Sequence, residues 1–184
     1  MVKNIPASFT PTIGNQLAQL RDNKARLTTD PNFFKESLNK VKAKIPFLRE
    51  TLPVRIDVFG QEAEQYKGGS NNLFNVMFNP AFINQYKPNK EAQEIIELMN
   101  QTGETSQMPR YISKNLSVGG ASIKLSPKEI TEMQKYVGQK TQYVISELIK
   151  NADYQKMTPE ERVKEISSYL TDISKVAKRK YYQG

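Results

Sequence analysis

The chain has 184 residues, a formal net charge of +8, a mean hydropathy of −0.63 and no Cys, His or Trp. That composition excludes disulfides, zinc sites built on thiolate or imidazole, and nucleophile systems that rely on His or Cys. No apolar run is long enough for a transmembrane helix, and MVKNIPASFT lacks the continuous apolar stretch of a signal peptide.

Hydrophobic residues make up 38% of the chain, lean for a compact globule, so part of the apolar surface is expected to be buried against other chains. Residues 1–55 hold ten Lys/Arg against four Asp/Glu, and Lys175, Lys178, Arg179 and Lys180 close the chain. Such a balance favours nucleic acid, acidic proteins or anionic lipid. The plain alternative is solubility and compensation of a helix dipole.

Residues 1–29 read as an N-terminal arm: two prolines precede Gly14, and a weak helical face with Leu17, Leu20 and Ala25 follows. Residues 30–125 read as a mixed helical and extended region broken by prolines. Asp30-Pro31 is expected to open a helix, with Phe34, Leu38, Val41 and Ile45 as its apolar stripe and Lys35, Lys40, Lys42 and Lys44 on other faces, ending at Pro46. Lys40, Lys42 and Lys44 are candidates for contact with nucleic acid or an anionic surface. Membrane contact is not expected of this segment alone, because a solvated basic face over a packed stripe is the commoner arrangement.

Val54, Ile56 and Val58 alternate with Arg55 and Asp57, the pattern of a half-buried extended segment with an ion pair on its open face. Lys67-Gly68-Gly69-Ser70 is a turn; it lacks the second Gly and the Lys of a phosphate loop. Phe74, Phe78 and Phe82 then stand four apart among asparagines, interrupted by Pro80. Each ring left in water costs about 1.5–3 kcal/mol, so the three belong either to a core patch under a loop or to an anchor in a neighbouring subunit.

Asn89 is expected to cap a helix through Gln101, with Ala92, Ile95, Ile96 and Met99 on one face and Gly103 as its stop. The three acidic residues Glu91, Glu94 and Glu97 suit a solvated face and no metal. Between Met108 and Leu125 a short hairpin can turn at Gly119-Gly120.

Residues 126–184 read as an antiparallel helical hairpin. Ser126-Pro127-Lys128-Glu129 and Thr158-Pro159-Glu160-Glu161 are two capping boxes with Pro at the first helical position. Ile130, Met133, Val137, Val144 and Leu148 line one helix, and Val163, Ile166, Leu170, Ile173 and Ala177 the other. Gly138 inside the first helix costs about 1 kcal/mol relative to Ala, which suggests a close backbone crossing or a bend. Lys178, Arg179 and Lys180 are a second candidate anionic contact, and Tyr181 and Tyr182 can stack on single-stranded bases or simply pack. The fold class is therefore mainly α: an extended multi-helix architecture with a C-terminal antiparallel hairpin and short β or extended segments in the middle.

Five stretches stand in one order: SFTPTIGNQLAQLRD; KIPFLRETLPVRIDVFGQ; LFNVMFNPAFINQY; IKLSPKEITEMQKYVGQ with its Gly138; and LIKNADYQKMTPEERVKEISSYLTDISKVAKRKY. Together they resemble a domain near the C-termini of very large bacteriophage proteins, the large polyvalent protein regions, and the ends of internal virion and tail tape-measure proteins. The resemblance covers nearly the whole chain. It implies a non-catalytic, mainly helical virion protein without cofactor or metal, carried in the capsid or tail and passed into the host cell on ejection. Its partners would be portal, tail or other ejection proteins and further copies of itself, with non-specific DNA contact. Members of that family are usually embedded in far longer chains, so this one reads as a processed C-terminal fragment, an expressed piece or a small free-standing relative. The alternative reading is a nucleic-acid-binding accessory module that uses the basic helix and the basic tail.

Overall fold

The computed structural model describes residues 22, 24–63, 89–118 and 120–182. Phe74, Phe78 and Phe82 lie outside the described residues, as does the arm up to residue 21. The fold is mainly helical, with one small antiparallel sheet. In chain order the elements are α1 (Phe33–Lys42), a 3-10 turn (Arg49–Thr51), α2 (Lys90–Thr102), β1 (Asn115–Val118), β2 (Ala121–Lys124), α3 (Pro127–Lys150), α4 (Ala152–Lys156) and α5 (Pro159–Tyr182). The described residues fall into two compact units.

The first unit holds described residues up to 55, residues 62–63 and residues 113–131. Residues 24–27, expected to end a helix, are extended instead. Ala25 N–H donates to Ala63 O at 2.7 Å, Arg55 N–H to Ala25 O at 2.8 Å, and Leu27 N–H to Pro53 O at 2.8 Å. Arg26 forms an antiparallel bridge with Val54. Strand pairing therefore supplies hydrogen bonds that a short helix with a weak apolar face could not hold. β1 and β2 form the hairpin expected around Gly119-Gly120, with Val118 opposite Ala121. Gly120 has a φ of 86°, a conformation for which a residue without Cβ is suited.

The second unit contains residues 56–61, 89–112 and 132–182 among those described. Its core gathers Val58 and Phe59, Ala92, Ile95 and Leu98 of α2, Met108, Ile145, Tyr154, and Val163 and Ile166 of α5. α2 is capped as the sequence predicts: the Asn89 side chain accepts Ala92 N–H at 2.8 Å, and Gly103 ends the helix at φ 71°. Leu98 joins Ala92 and Ile95 on the fully buried face, while Ile96 and Met99 pack at its edge.

Both capping boxes close. Ser126 N–H donates to Glu129 Oε2 at 2.7 Å and Glu129 N–H to Ser126 Oγ at 3.3 Å. Thr158 and Glu161 repeat the exchange at 2.8 and 3.3 Å. The link between α3 and α5 is not a plain loop, because Asn151 caps the one-turn α4 by accepting Asp153 N–H and Tyr154 N–H. The antiparallel return brings Tyr181 edge-on to Tyr136, with ring centroids 6.4 Å apart.

On α3 Ile130, Met133 and Val137 are buried as expected, but the rest of the buried face differs. Met133, Gln134, Val137, Gly138, Thr141 and Ile145 are buried, while Val144 and Leu148 are half-buried. The helix is turned so that Gly138 faces the chain at Phe59-Gly60, and a Cβ on Gly138 would stand 2.5 Å from Phe59 C and 2.6 Å from Gly60 Cα. Beside this crossing, Gln134 Nε2 donates to Asp57 O at 3.1 Å and its Oε1 accepts Ile112 N–H at 2.7 Å. Asp57, expected on an open face, is half-buried, and its Oδ1 accepts Phe59 N–H at 2.9 Å and Gln61 N–H at 2.8 Å.

Tyr154 ties three elements of this unit. Its hydroxyl donates to Glu94 Oε1 at 2.9 Å, and the Arg162 guanidinium lies 5.2 Å from its ring centroid and 3.5 Å from the same carboxylate. Burial first, and the Glu94 carboxylate next, push the phenol well above its ordinary pKa, so it stays a hydrogen-bond donor throughout the accessible pH range. Tyr154→Phe is expected to cost about 1.5–3 kcal/mol, the range for a hydrogen bond to a charged group. A urea midpoint that does not move would remove the hydroxyl from this account.

Candidate docking surface

α1 begins at Asn32 rather than at Asp30. The Asn32 side chain accepts Phe34 N–H at 2.9 Å and Lys35 N–H at 3.3 Å, while an Asp30 oxygen accepts Asn32 N–H. The shift follows from chemistry: the Asp30 carboxylate orders the turn, and Asn32, one step before the helix, has the reach to its orphan donors.

No residue of α1 is buried. Its half-buried side chains are Glu36, Asn39 and Lys42, whereas Phe33 and Phe34 are 76% and 82% exposed and Leu38 and Val41 are about half exposed. The helix thus turns polar groups toward its own unit and its apolar stripe toward solvent, opposite to the expected packed stripe. Glu36 explains the orientation. It receives Lys114 Nζ at 3.1 Å and Lys40 Nζ at 3.0 Å. Those two ammonium groups, Lys40 first, pull its carboxyl down to about 2. Among the described residues of the first unit, the buried hydrophobic ones are Leu52, Ala63, Leu116, Leu125 and Ile130.

The apolar face continues past the helix. Ile45, Phe47 and Leu48 are all exposed, Phe47 at 65%. Phe47 holds a φ of 68°, a left-handed conformation that costs a residue with a Cβ about 1–2 kcal/mol. What holds it there is Arg49, buried under the turn at 2% exposure. Its guanidinium donates to Ala43 O at 3.2 Å, Lys24 O at 2.6 Å and Asp22 Oδ2 at 2.9 Å. Strain of this kind persists only where the surroundings over-determine it. The exposed rings accordingly stand on a clamped base, which lowers the ordering cost of any contact they make.

The three Phe rings alone expose roughly 450 Å², taking about 200 Å² for a full aromatic side chain. Lys35, Lys40, Lys42 and Lys44 flank this face in the chain. The Phe33-Phe34 doublet and Phe47 were the signal for this surface, but amphipathicity names a stripe without naming the direction it points.

The C-terminal basic residues sit on the last turn of α5. Lys180 Nζ lies 4.2 Å from the Tyr136 ring centroid, so part of its charge serves intramolecular packing. Lys178 is half-buried and Arg179 exposed, and neither has an ion pair among the described residues. Tyr181 and Tyr182 are half-buried, with Tyr181 packed on Tyr136. A shallow cleft of about 420 Å³ lies between the turn at Glu104–Ser106 and α5. It sets Lys164 and Lys175 against Glu104 and Asp172, a balanced lining that selects no ligand charge. Among the described residues no acidic cluster could hold a metal ion. Comparisons with protein-family models, with curated proteins and with solved structures give no match.

Proposed function

We propose that the chain is a non-catalytic structural protein of a bacteriophage particle, an internal or ejection protein that assembles at the portal or tail with other virion proteins and further copies of itself and aids genome delivery. The motifs quoted above suggest this family. The observation that carries the reading is the outward apolar face of α1, where Phe34, Leu38 and Val41 are exposed among the described residues. Such a face is completed by another molecule, which is the economy of an assembly protein.

The test is the intact mass and stoichiometry of the chain in purified particles. A fixed copy number per particle is expected, and Phe34→Ser combined with Leu38→Ser lowers that number at least about tenfold, the effect of losing central apolar anchors. Particles that lack the chain, or that carry the variant at the same copy number, overturn the reading.

A second reading, a nucleic-acid-binding accessory module, is favoured by Lys178 and Arg179 on the last turn of α5 and by the lysines around α1. It predicts DNA affinity that falls steeply with salt, and affinity that is absent at low ionic strength removes it.

A further inference from the structure

We propose that the outward face of α1 and its following turn is a membrane-surface site that seats on an anionic lipid bilayer. At about 100° per residue, Phe34, Leu38 and Val41 fall within roughly 60° of one another. Exposed Lys35 stands on one shoulder of that wedge with half-buried Lys42 beside it, Lys40 lies on the other side with its ammonium on Glu36, and exposed Lys44 is next in the chain. Glu36, the one acidic residue between 33 and 48, is half-buried and held by both Lys114 and Lys40. An apolar wedge flanked by cations, with its one acid neutralised by two lysines, is what a helix lying in the plane of a charged interface requires: rings enter the acyl boundary while ammonium groups reach the headgroups. Among the described residues no helix is long and apolar enough to cross a membrane, so the contact is one of lying on the surface.

Charge decides between occupants. A second copy packed face to face through a two-fold axis sets lysine shoulder near lysine shoulder, a like-charge pairing that weakens association. Nucleic acid offers phosphates to the lysines but strands the rings between them. An anionic bilayer satisfies both. The proposal does not depend on the virion reading, since any anionic leaflet presents the same chemistry; a protein neighbour and a bilayer would compete for the face.

The experiment is co-sedimentation of the purified full chain with vesicles of phosphatidylcholine alone and of phosphatidylcholine with about a third phosphatidylglycerol, at about 0.1 M salt. Binding at least about tenfold tighter to the anionic vesicles is expected. Phe34→Ser with Leu38→Ser should reduce it at least about tenfold, and Lys35→Gln with Lys42→Gln and Lys44→Gln should erase the preference for the anionic lipid. Helicity by circular dichroism confirms that both variants fold, as their exposure leads one to expect. No binding to anionic vesicles, equal binding to both vesicles, or binding untouched by the Phe34/Leu38 pair overturns the proposal; so does a dimer that persists on the vesicles with this face buried in it. Failure here leaves the copy number in particles unaffected, and an empty particle leaves vesicle binding unaffected.

Discussion

Gly138→Ala should destabilise the protein by at least about 3 kcal/mol, at or above the upper range for forcing extra volume into a packed site. Helix propensity alone predicts the opposite sign, a gain of about 1 kcal/mol. The difference lies in what the new methyl would strike. It would clash with Gly60 N and crowd Phe59 C and Gly60 Cα, all backbone, so no side chain can swing away. Gly60 is locked from its own side: its φ is 79°, and a Cβ there would stand 2.7 Å from both Lys135 O and Gln139 N. The two glycines are a matched crossing, and relief requires α3 to move off Phe59, a buried part of the second unit's core. Gly103→Ala is the control. It also has a positive φ, but nothing lies within 4 Å, so it should cost only the conformational penalty of about 1–2 kcal/mol. Urea unfolding of the three proteins decides: comparable midpoints for the two variants would mean that the crossing is looser than described.

Asp22→Ala should cost about 3–5 kcal/mol, the range for leaving a buried charge without its partner. One carboxylate oxygen, Oδ2, accepts Arg26 Nε at 2.8 Å and Arg49 Nε at 2.9 Å, and Oδ1 accepts Lys24 N–H at 3.2 Å. The carbonyl oxygens of Ala43, Lys24 and Leu52 take further guanidinium donors. Without Asp22 two cations remain with dipoles only, and the clamp beneath Phe47 loosens. The cost should therefore appear as a changed docking face as well as a lower unfolding midpoint.

The same carboxylate gives a pH signature. Burial by itself would raise its pKa, but the bonds from Arg26, Lys24 N–H and Arg49 outweigh burial and hold it below the usual value of about 3.9. A carboxyl lowered in the folded state contributes stability that is fully present above the unfolded pKa and is lost as pH falls through the folded one. Stability of the native chain should therefore drop below about pH 4, and Asp22→Asn, already weakened at neutral pH, should show a shallower drop. Asp57 works in the other sense. Its burial raises the carboxyl despite the bonds from Gln61 and Phe59, so its contribution is largest below the unfolded pKa and fades as pH rises through the folded value. An acid limb of equal steepness in wild type and Asp22→Asn would assign the acid sensitivity elsewhere.

What could be read from the residues in order is what acts over three or four positions. Ser126 with Glu129, Thr158 with Glu161, Asn89 before α2 and Gly103 after it are bonds and dihedrals within a single turn, and the residue types that make them are few. The turn that carries Gly120 and the return of α5 toward α3 follow from equally local signals. Gly138 announced a close approach but not its partner, because Gly60 is far away in the chain and no periodicity links the two. Asp22 and Arg49 were ordinary surface types until the fold enclosed them together. Ile145 displaced Val144 from the buried face because the helix's rotation is set by what it crosses. The direction of α1 is the plainest case. Its stripe is a property of spacing, but which side meets the protein depends on the partner each side finds, and here Glu36 found Lys114 while the rings stayed exposed. Short-range chemistry is written in the chain; a choice between two faces is an energy difference that exists only once both environments have been built.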